Sequence, residues 1–173
     1  MADLGTPFGL REGKIVAPGD VPSGAACGCI CPGCSGPLVA KKGSIKRWHF
    51  SHLNAEPHDS CAESAIHAAA KQVLLEQGEF MAPEFSVGVT AKALDGRELY
   101  EYEVLSPVRR IRFDRTVPEE TIGDIRPDVV GYRSDRRLLV EMYFRHRVDL
   151  EKREKLVRLG IPAIEIDLSD LEV

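Results

Sequence analysis

Two carboxylates and a group of thiols and imidazoles are the side chains in this sequence best placed to do chemistry. The carboxylates are Asp128 and Glu141, in the stretch from Ile125 to His146. Val129 and Val130 sit in one arm of what patterns as a β-hairpin. Leu138, Val140, Met142 and Phe144 alternate along the other, and Ser134-Asp135 supply a polar turn. If that turn is a two-residue loop, Arg133 pairs with Arg136, and counting back sets Asp128 opposite Glu141. Like charges directly opposed on a sheet repel. A hard divalent cation, which takes carboxylate oxygens, would relieve that repulsion. The competing expectation is a solvated hairpin face with the register slipped by one residue.

The second group lies between residues 25 and 61. Cys27, Cys29, Cys31-Pro-Gly-Cys34, His49-Phe-Ser-His52, His58 and Cys61 follow one another there. Pro32 and Gly33 bend the chain so that both flanking thiolates point at one place, as tetrahedral zinc requires. Two strands, Pro37–Ala40 and Arg47–Phe50, are expected after the knuckle, and Cys61 opens a helix. Cys31, Cys34 and Cys61 are three expected ligands of a closed structural Zn²⁺ site. His52, at a strand end, is preferred as the fourth, with His49 and Cys29 as alternates. The two histidines are three positions apart, so they do not share one face of a regular strand. A catalytic zinc at His49 and His52 is disfavoured, because so many thiol ligands favour a closed site.

The elements that must position these groups follow from periodicity. Residues 61–77 read as a helix ending at Gly78, with Ala62, Ile66, Ala69, Ala70, Val73 and Leu74 on its apolar face. Glu63, His67 and Lys71 form a polar stripe beside that face, either an ordinary solvated ladder or the wall of a cleft. Antiparallel strands are expected over 84–93 and 97–105 around Asp95-Gly96, and again over 108–113, with 117–123 as a loop. A helix capped by Asp149 carries Leu156 and Leu159 inward and stops at Gly160. Ile164, Ile166 and Leu168 then lie on one face of a last strand. A strand reached through a helix usually runs parallel to its neighbour. The fold class is therefore α/β (α+β): a mixed sheet flanked by helices, behind a small β-rich module.

The chain has 173 residues, a net charge of −4, 43% hydrophobic and 29% charged residues. These values suit one globular core with a small appendage. No apolar run approaches the roughly 18 residues of a membrane span, and Met1–Leu10 lacks the pattern of a signal peptide. A cytoplasmic protein without membrane contact is expected, with reduced cysteines available to metal. The acidic balance argues against coating nucleic acid by bulk charge. Separated basic patches, such as Lys41-Lys42 with Lys46-Arg47, leave a local contact open.

Pro127-Asp128, with Val140-Glu141-Met-Tyr143 after twelve residues, resembles the PD-(D/E)xK phosphodiesterase motif. The whole chain from about residue 25 resembles the competence protein CoiA-like family. The match rests on Cys31-Pro-Gly-Cys34, Trp48-His-Phe-Ser-His52, Glu63-Ser64 with His67 and Lys71, Arg126-Pro-Asp128, Glu141, His146 with Val148-Asp149 and Lys152, and Ile164-Glu-Ile-Asp167. Residues 1–24, rich in Gly and Pro, are expected to form an N-terminal arm, partly ordered or an edge strand with Lys14-Ile-Val-Ala17 as its strand-like piece. The resemblance implies a zinc-binding module (25–61) and a restriction-endonuclease-like, PD-(D/E)xK nuclease-like domain (62–173). It implies Asp128 and Glu141 as Mg²⁺ or Mn²⁺ ligands, with Glu63 completing the acidic cluster. The implied function is metal-dependent hydrolysis of DNA, single- or double-stranded, in processing, recombination or uptake, alongside protein partners of those processes. The sequence departs from the motif where a lysine is expected two residues after Glu141: Tyr143 stands there. Lys71, Lys152 or Arg126 could supply the cation instead. The alternative is a catalytically degenerate, zinc-containing nucleic-acid-binding or adaptor protein.

Overall fold

The computed structural model describes residues 5–54, 60–144 and 150–171. His58, His146 and the expected cap Asp149 lie outside them. The chain begins with a hairpin of β1 (Gly9–Arg11) and β2 (Lys14–Val16). A second hairpin joins β3 (Leu38–Lys41) to β4 (His49–His52), Leu38 facing His52. The expected second strand began two residues earlier. Arg47 and Trp48 instead stay in the connection, where a run of cations remains solvated.

The N-terminal residues are wrapped into this module more tightly than a loose arm would be. The backbone of Thr6 exchanges two hydrogen bonds with Phe50, Leu10 does the same with Ile30, and Gly24 with Ala40. Val21 is buried with Cys27, Cys29, Cys31, Leu38, Ala40, Phe50 and Cys61.

Helix α1 (Ser60–Gln77) carries the expected core residues Ile66 and Leu74, and its ladder closes at Gly78, which adopts φ +63°. Val73, expected on the buried face, is half exposed. The Gln72 side chain accepts from the Ile15 N–H (2.6 Å) and donates to the Ile15 carbonyl (3.2 Å). It thereby pairs one edge of the first hairpin to the helix.

Strand β5 (Glu79–Ala82) is followed by β6 (Phe85–Lys92), β7 (Glu98–Ser106), β8 (Arg109–Arg112) and β9 (Arg115–Pro118). The 84–105 segment forms the expected hairpin, β6 with β7, but as a two-stranded ribbon outside the main sheet. Its apolar side chains find no facing layer among the described residues, and Tyr100 lies over Gly88. β8 pairs with β5 instead.

The central sheet has the order β12-β11-β10-β9, built from β10 (Val129–Arg133), β11 (Arg136–Tyr143) and, beyond helix α2 (Leu150–Leu159), β12 (Ala163–Asp167). β10 and β11 hold the expected register, Arg133 to Arg136 and Val129 to Val140. Ser134 takes the left-handed conformation (φ +50°) that a two-residue turn demands. β12 runs parallel to β11, as expected. Val129, Val140, Met142 and Leu168 pack with Ile66 and Leu74 of α1. Val130 and Leu139 face the other way, against Leu156 and Leu159 of α2. The fold is mixed α+β, with a helix on each face of the four-stranded sheet.

Gly131 shows how closely the layers approach. A Cβ there would lie 2.3 Å from the Phe113 ring, which is itself in contact with Phe80 at 6.0 Å between centroids. Gly131→Ala is expected to destabilise the chain by about 2 kcal/mol, the usual scale of overpacking. Chemical denaturation measures it, and an unchanged midpoint would mean that Phe113 yields without cost.

Candidate metal centre and carboxylate site

The thiol and imidazole atoms of Cys31, Cys34, His52 and Cys61 all lie within 4.8 Å of one another. Metal–sulfur bonds of about 2.3 Å in a tetrahedral shell need that kind of spacing. Cys31 and Cys61 are buried, and Cys34 stands at the surface with its sulfur 3.2 Å from His52 Nε2. The Gly36 backbone, with the Cys31 and Cys61 side chains, holds the Cys34 thiol below its ordinary range. A low thiol pKa favours the thiolate that binds metal. Gly33 lets the knuckle press onto the helix, since a Cβ there would stand 3.0 Å from Ser64 Oγ and 3.3 Å from Cys61 Cα. The donor set suits a metal such as zinc.

The alternates are committed elsewhere. Cys29 donates to the Cys27 carbonyl, and burial pushes its thiol up to about 11. The His49 ring packs where a Gly5 side chain would be, with Nδ1 2.8 Å from the Arg47 carbonyl. Cys27 donates to the Leu38 carbonyl. These are core thiols and a packed imidazole.

The carboxylates collect at one end of the central sheet. Glu119 follows β9, Asp128 precedes β10 and Glu141 lies in β11, in adjacent register. Glu141 is 4% exposed. Lys152 of α2 places its ammonium 2.8 Å from Glu141 Oε1. Asp128 accepts from the Met142 N–H (2.9 Å) and lies 2.7 Å from His67 Nε2 and 3.9 Å from Lys71 Nζ. So α1 attends Asp128 and α2 attends Glu141.

These environments push the two acids apart. Burial raises the Glu141 carboxyl, reinforced by the charge of Asp128, and outweighs Lys152 and the Asp128 N–H. Burial also pushes Asp128 up, but the His67 hydrogen bond, the Met142 N–H and Lys71 together prevail and hold it below its ordinary range.

Glu119 was not singled out by its sequence, where it sits in a segment that reads as a loop. It accepts from Lys71 (2.7 Å) and from Arg126 (2.5 Å), and its N–H donates to the Asp128 carbonyl (3.0 Å). Lys71 first, by hydrogen bond and charge, lowers its carboxyl. Its backbone takes φ +50°, uncommon for a non-glycine residue and frequent at functional sites. Glu63, half-buried in the first turn of α1, makes no ion pair with a described residue, and no three-carboxylate cluster with Asp128 and Glu141 forms among the described residues. Tyr143, in the place of the motif lysine, is turned away: its hydroxyl donates to Asp167, which also accepts from Ser169.

Taken together, a Cys₃His donor set closes onto the first turn of a helix, and the same helix covers a mixed sheet edged with acids. Residues 26–63 match the family model described as Competence protein CoiA, N-terminal domain. That match covers the Cys/His module and ends early in α1, so the similarity is one of this module. No curated protein and no solved structure matches the chain. No helix among the described residues is long and apolar enough to cross a membrane.

Proposed function

We propose that this chain is a metal-dependent nuclease acting on DNA, with a structural zinc in its N-terminal module and a restriction-endonuclease-like core over residues 62–173. One observation carries the reading. Asp128 and Glu141 sit in opposed register at one sheet end, and Lys152 reaches Glu141 from the next helix. It supplies the cation that Tyr143 cannot. The donors fit a divalent cation: two carboxylates that repel one another in a half-buried site are hard oxygen ligands in need of positive charge. Asp128 and Glu141 would hold Mg²⁺ or Mn²⁺, which when bound polarises a phosphate oxygen and acidifies a water. His67 and the Met142 N–H orient the Asp128 carboxylate. Lys152 places positive charge where a phosphate gains negative charge. Lys71, held between Glu119 and Asp128, fixes the α1 side of the cleft.

Linear single- and double-stranded DNA incubated with the zinc-loaded protein tests the reading. Cleavage is expected with added Mg²⁺ or Mn²⁺ and none without. No product with either ion, at any protein concentration that binds the DNA, would overturn it. That result would favour a non-catalytic DNA-binding adaptor, the reading supported by the tyrosine at position 143.

A further inference from the structure

The β3–β4 connection carries a second feature that the carboxylate site does not use. From Lys41 to His52 the chain holds Lys41, Lys42, Lys46 and Arg47 and no acid. The overall charge of −4 therefore hides a local excess of four positive charges. In the middle of the run stands Trp48, 50% exposed. Its indole N–H donates to the Gly43 carbonyl at 3.1 Å, and the Lys42 ammonium lies 5.3 Å from the ring centroid. Lys42 is itself anchored, donating to the Val21 carbonyl. A solvated lysine loop has no need to hold an aromatic ring in one orientation. Here the ring is fastened at its polar edge and by a tethered cation, while half its surface remains open.

We propose that this loop is a contact for single-stranded nucleic acid: one base stacks on the Trp48 indole, and its flanking phosphates run past Lys41, Lys46 and Arg47. The combination of a positively charged track and an aromatic platform binds single strands without sequence preference, because every base has a π face. A duplex keeps its bases stacked on one another and offers the indole no face except at its ends. A membrane-inserting loop needs a continuous apolar tip. Ile45 is 98% exposed, but it stands between Ser44 and Lys46, and the indole is tied back to Gly43. The inference extends the DNA reading above, but its test omits divalent cation, so the two fail separately.

Trp48 is the sole tryptophan of the chain, so selectively excited tryptophan fluorescence reports on this loop alone. Titration of the full chain with oligo-dT at low salt is expected to quench it. Three phosphate contacts predict that log K falls with log salt at a slope of about −2. By anisotropy of a labelled oligonucleotide, Trp48→Ala is expected to weaken binding about tenfold, the size of one lost base stack. Trp48→Phe should recover part of that loss. Lys46→Glu with Arg47→Glu, on a solvated loop that leaves the module's core untouched, should weaken binding at least as much. Absence of quenching would overturn the proposal. So would a duplex of equal length bound as tightly, or equal quenching by polyphosphate, which has no bases, or by vesicles of anionic lipid. Binding without later cleavage would refute the nuclease and leave this contact standing. Cleavage with an unchanged KM in Trp48→Ala would do the reverse.

Discussion

Purified from cells, the chain will carry about one zinc ion per molecule, and Cys31→Ser or Cys61→Ser will lose both the ion and the fold of the Cys/His module. The reason is the size of the core. The buried cluster of the module comprises Val21, Leu38, Ala40, Phe50 and four cysteines. Burial at about 25 cal/mol per Å² from so few apolar side chains does not offset the ordering of such a segment. Structural zinc contributes roughly 10–16 kcal/mol of apparent binding energy in small modules, and that energy is folding energy. The loss will also spread. Cys61 is the second residue of α1, and His67 lies six residues on, about 9 Å along the axis at 1.5 Å per residue. Without the metal that start is no longer held against the knuckle, and His67 and Lys71 lose their placement beside Asp128. Cys29→Ala, which removes a thiol bonded only to a carbonyl, is expected to keep the zinc at a cost near 1 kcal/mol. Metal content by mass spectrometry and thermal melting separate these outcomes. A Cys61→Ser protein that retains stoichiometric zinc, or a wild-type protein that never holds it, would sink the assignment.

What could be read in advance divides along a physical line. The hairpin register was legible because a two-residue turn fixes every pair behind it, and Asp128 against Glu141 followed by counting. The Cys-Pro-Gly-Cys knuckle and Cys61 were legible because metal-ligand spacing is local. The period of a strand said only that His49 and His52 do not act together, and His52 was preferred for its place at a strand end; the structure adds why His49 is not free: Gly5 brings the N-terminal segment against its ring. Long-range pairing was not legible. Nothing in Glu79–Ala82 announces that it will join Arg109–Arg112, and β9 was not set apart as a strand, its last two residues falling in the expected loop. Glu119 was missed with it, since its neighbours Lys71 and Arg126 come from elsewhere in the chain. Alternation also fails at a strand end. Strictly continued, it would put Asp128 on the α2 face with Glu141, yet Asp128 lies just outside β10 and turns to His67 of α1. The same hidden pairing decides the fate of Tyr143. Its presence in place of the motif lysine was readable, but its bond to Asp167 required the parallel partner β12.

On the nuclease reading proposed above, Lys152→Met is expected to lower DNA cleavage by about 10²–10³-fold, the usual cost of removing one charge-stabilising group, with little change in KM. Among the described residues, three Lys and Arg cations stand near the acids, and geometry ranks them. Arg126 donates to the side chain and carbonyl of Glu119. Lys71 lies 2.7 Å from Glu119 and 3.9 Å from Asp128, so it is shared. Lys152 alone pairs with Glu141, the residue that the motif's own lysine follows. Lys71→Met should therefore affect rate less. Tyr143→Phe should hardly matter, because that hydroxyl is turned to Asp167. Asp128→Asn with Glu141→Gln should abolish cleavage altogether. Stability must be read in parallel, because Lys152→Met leaves Glu141 buried without its partner. Burial already raises that carboxyl, so it will take up a proton rather than remain a bare charge. The cost is held to about 1–2 kcal/mol, since Lys152 is itself partly solvated. Glu141→Gln with Lys152→Met removes both charges and should melt near wild type while staying inactive. If Lys152→Met cleaves at the wild-type rate, or if its loss tracks the melting temperature alone, the cation comes from another residue.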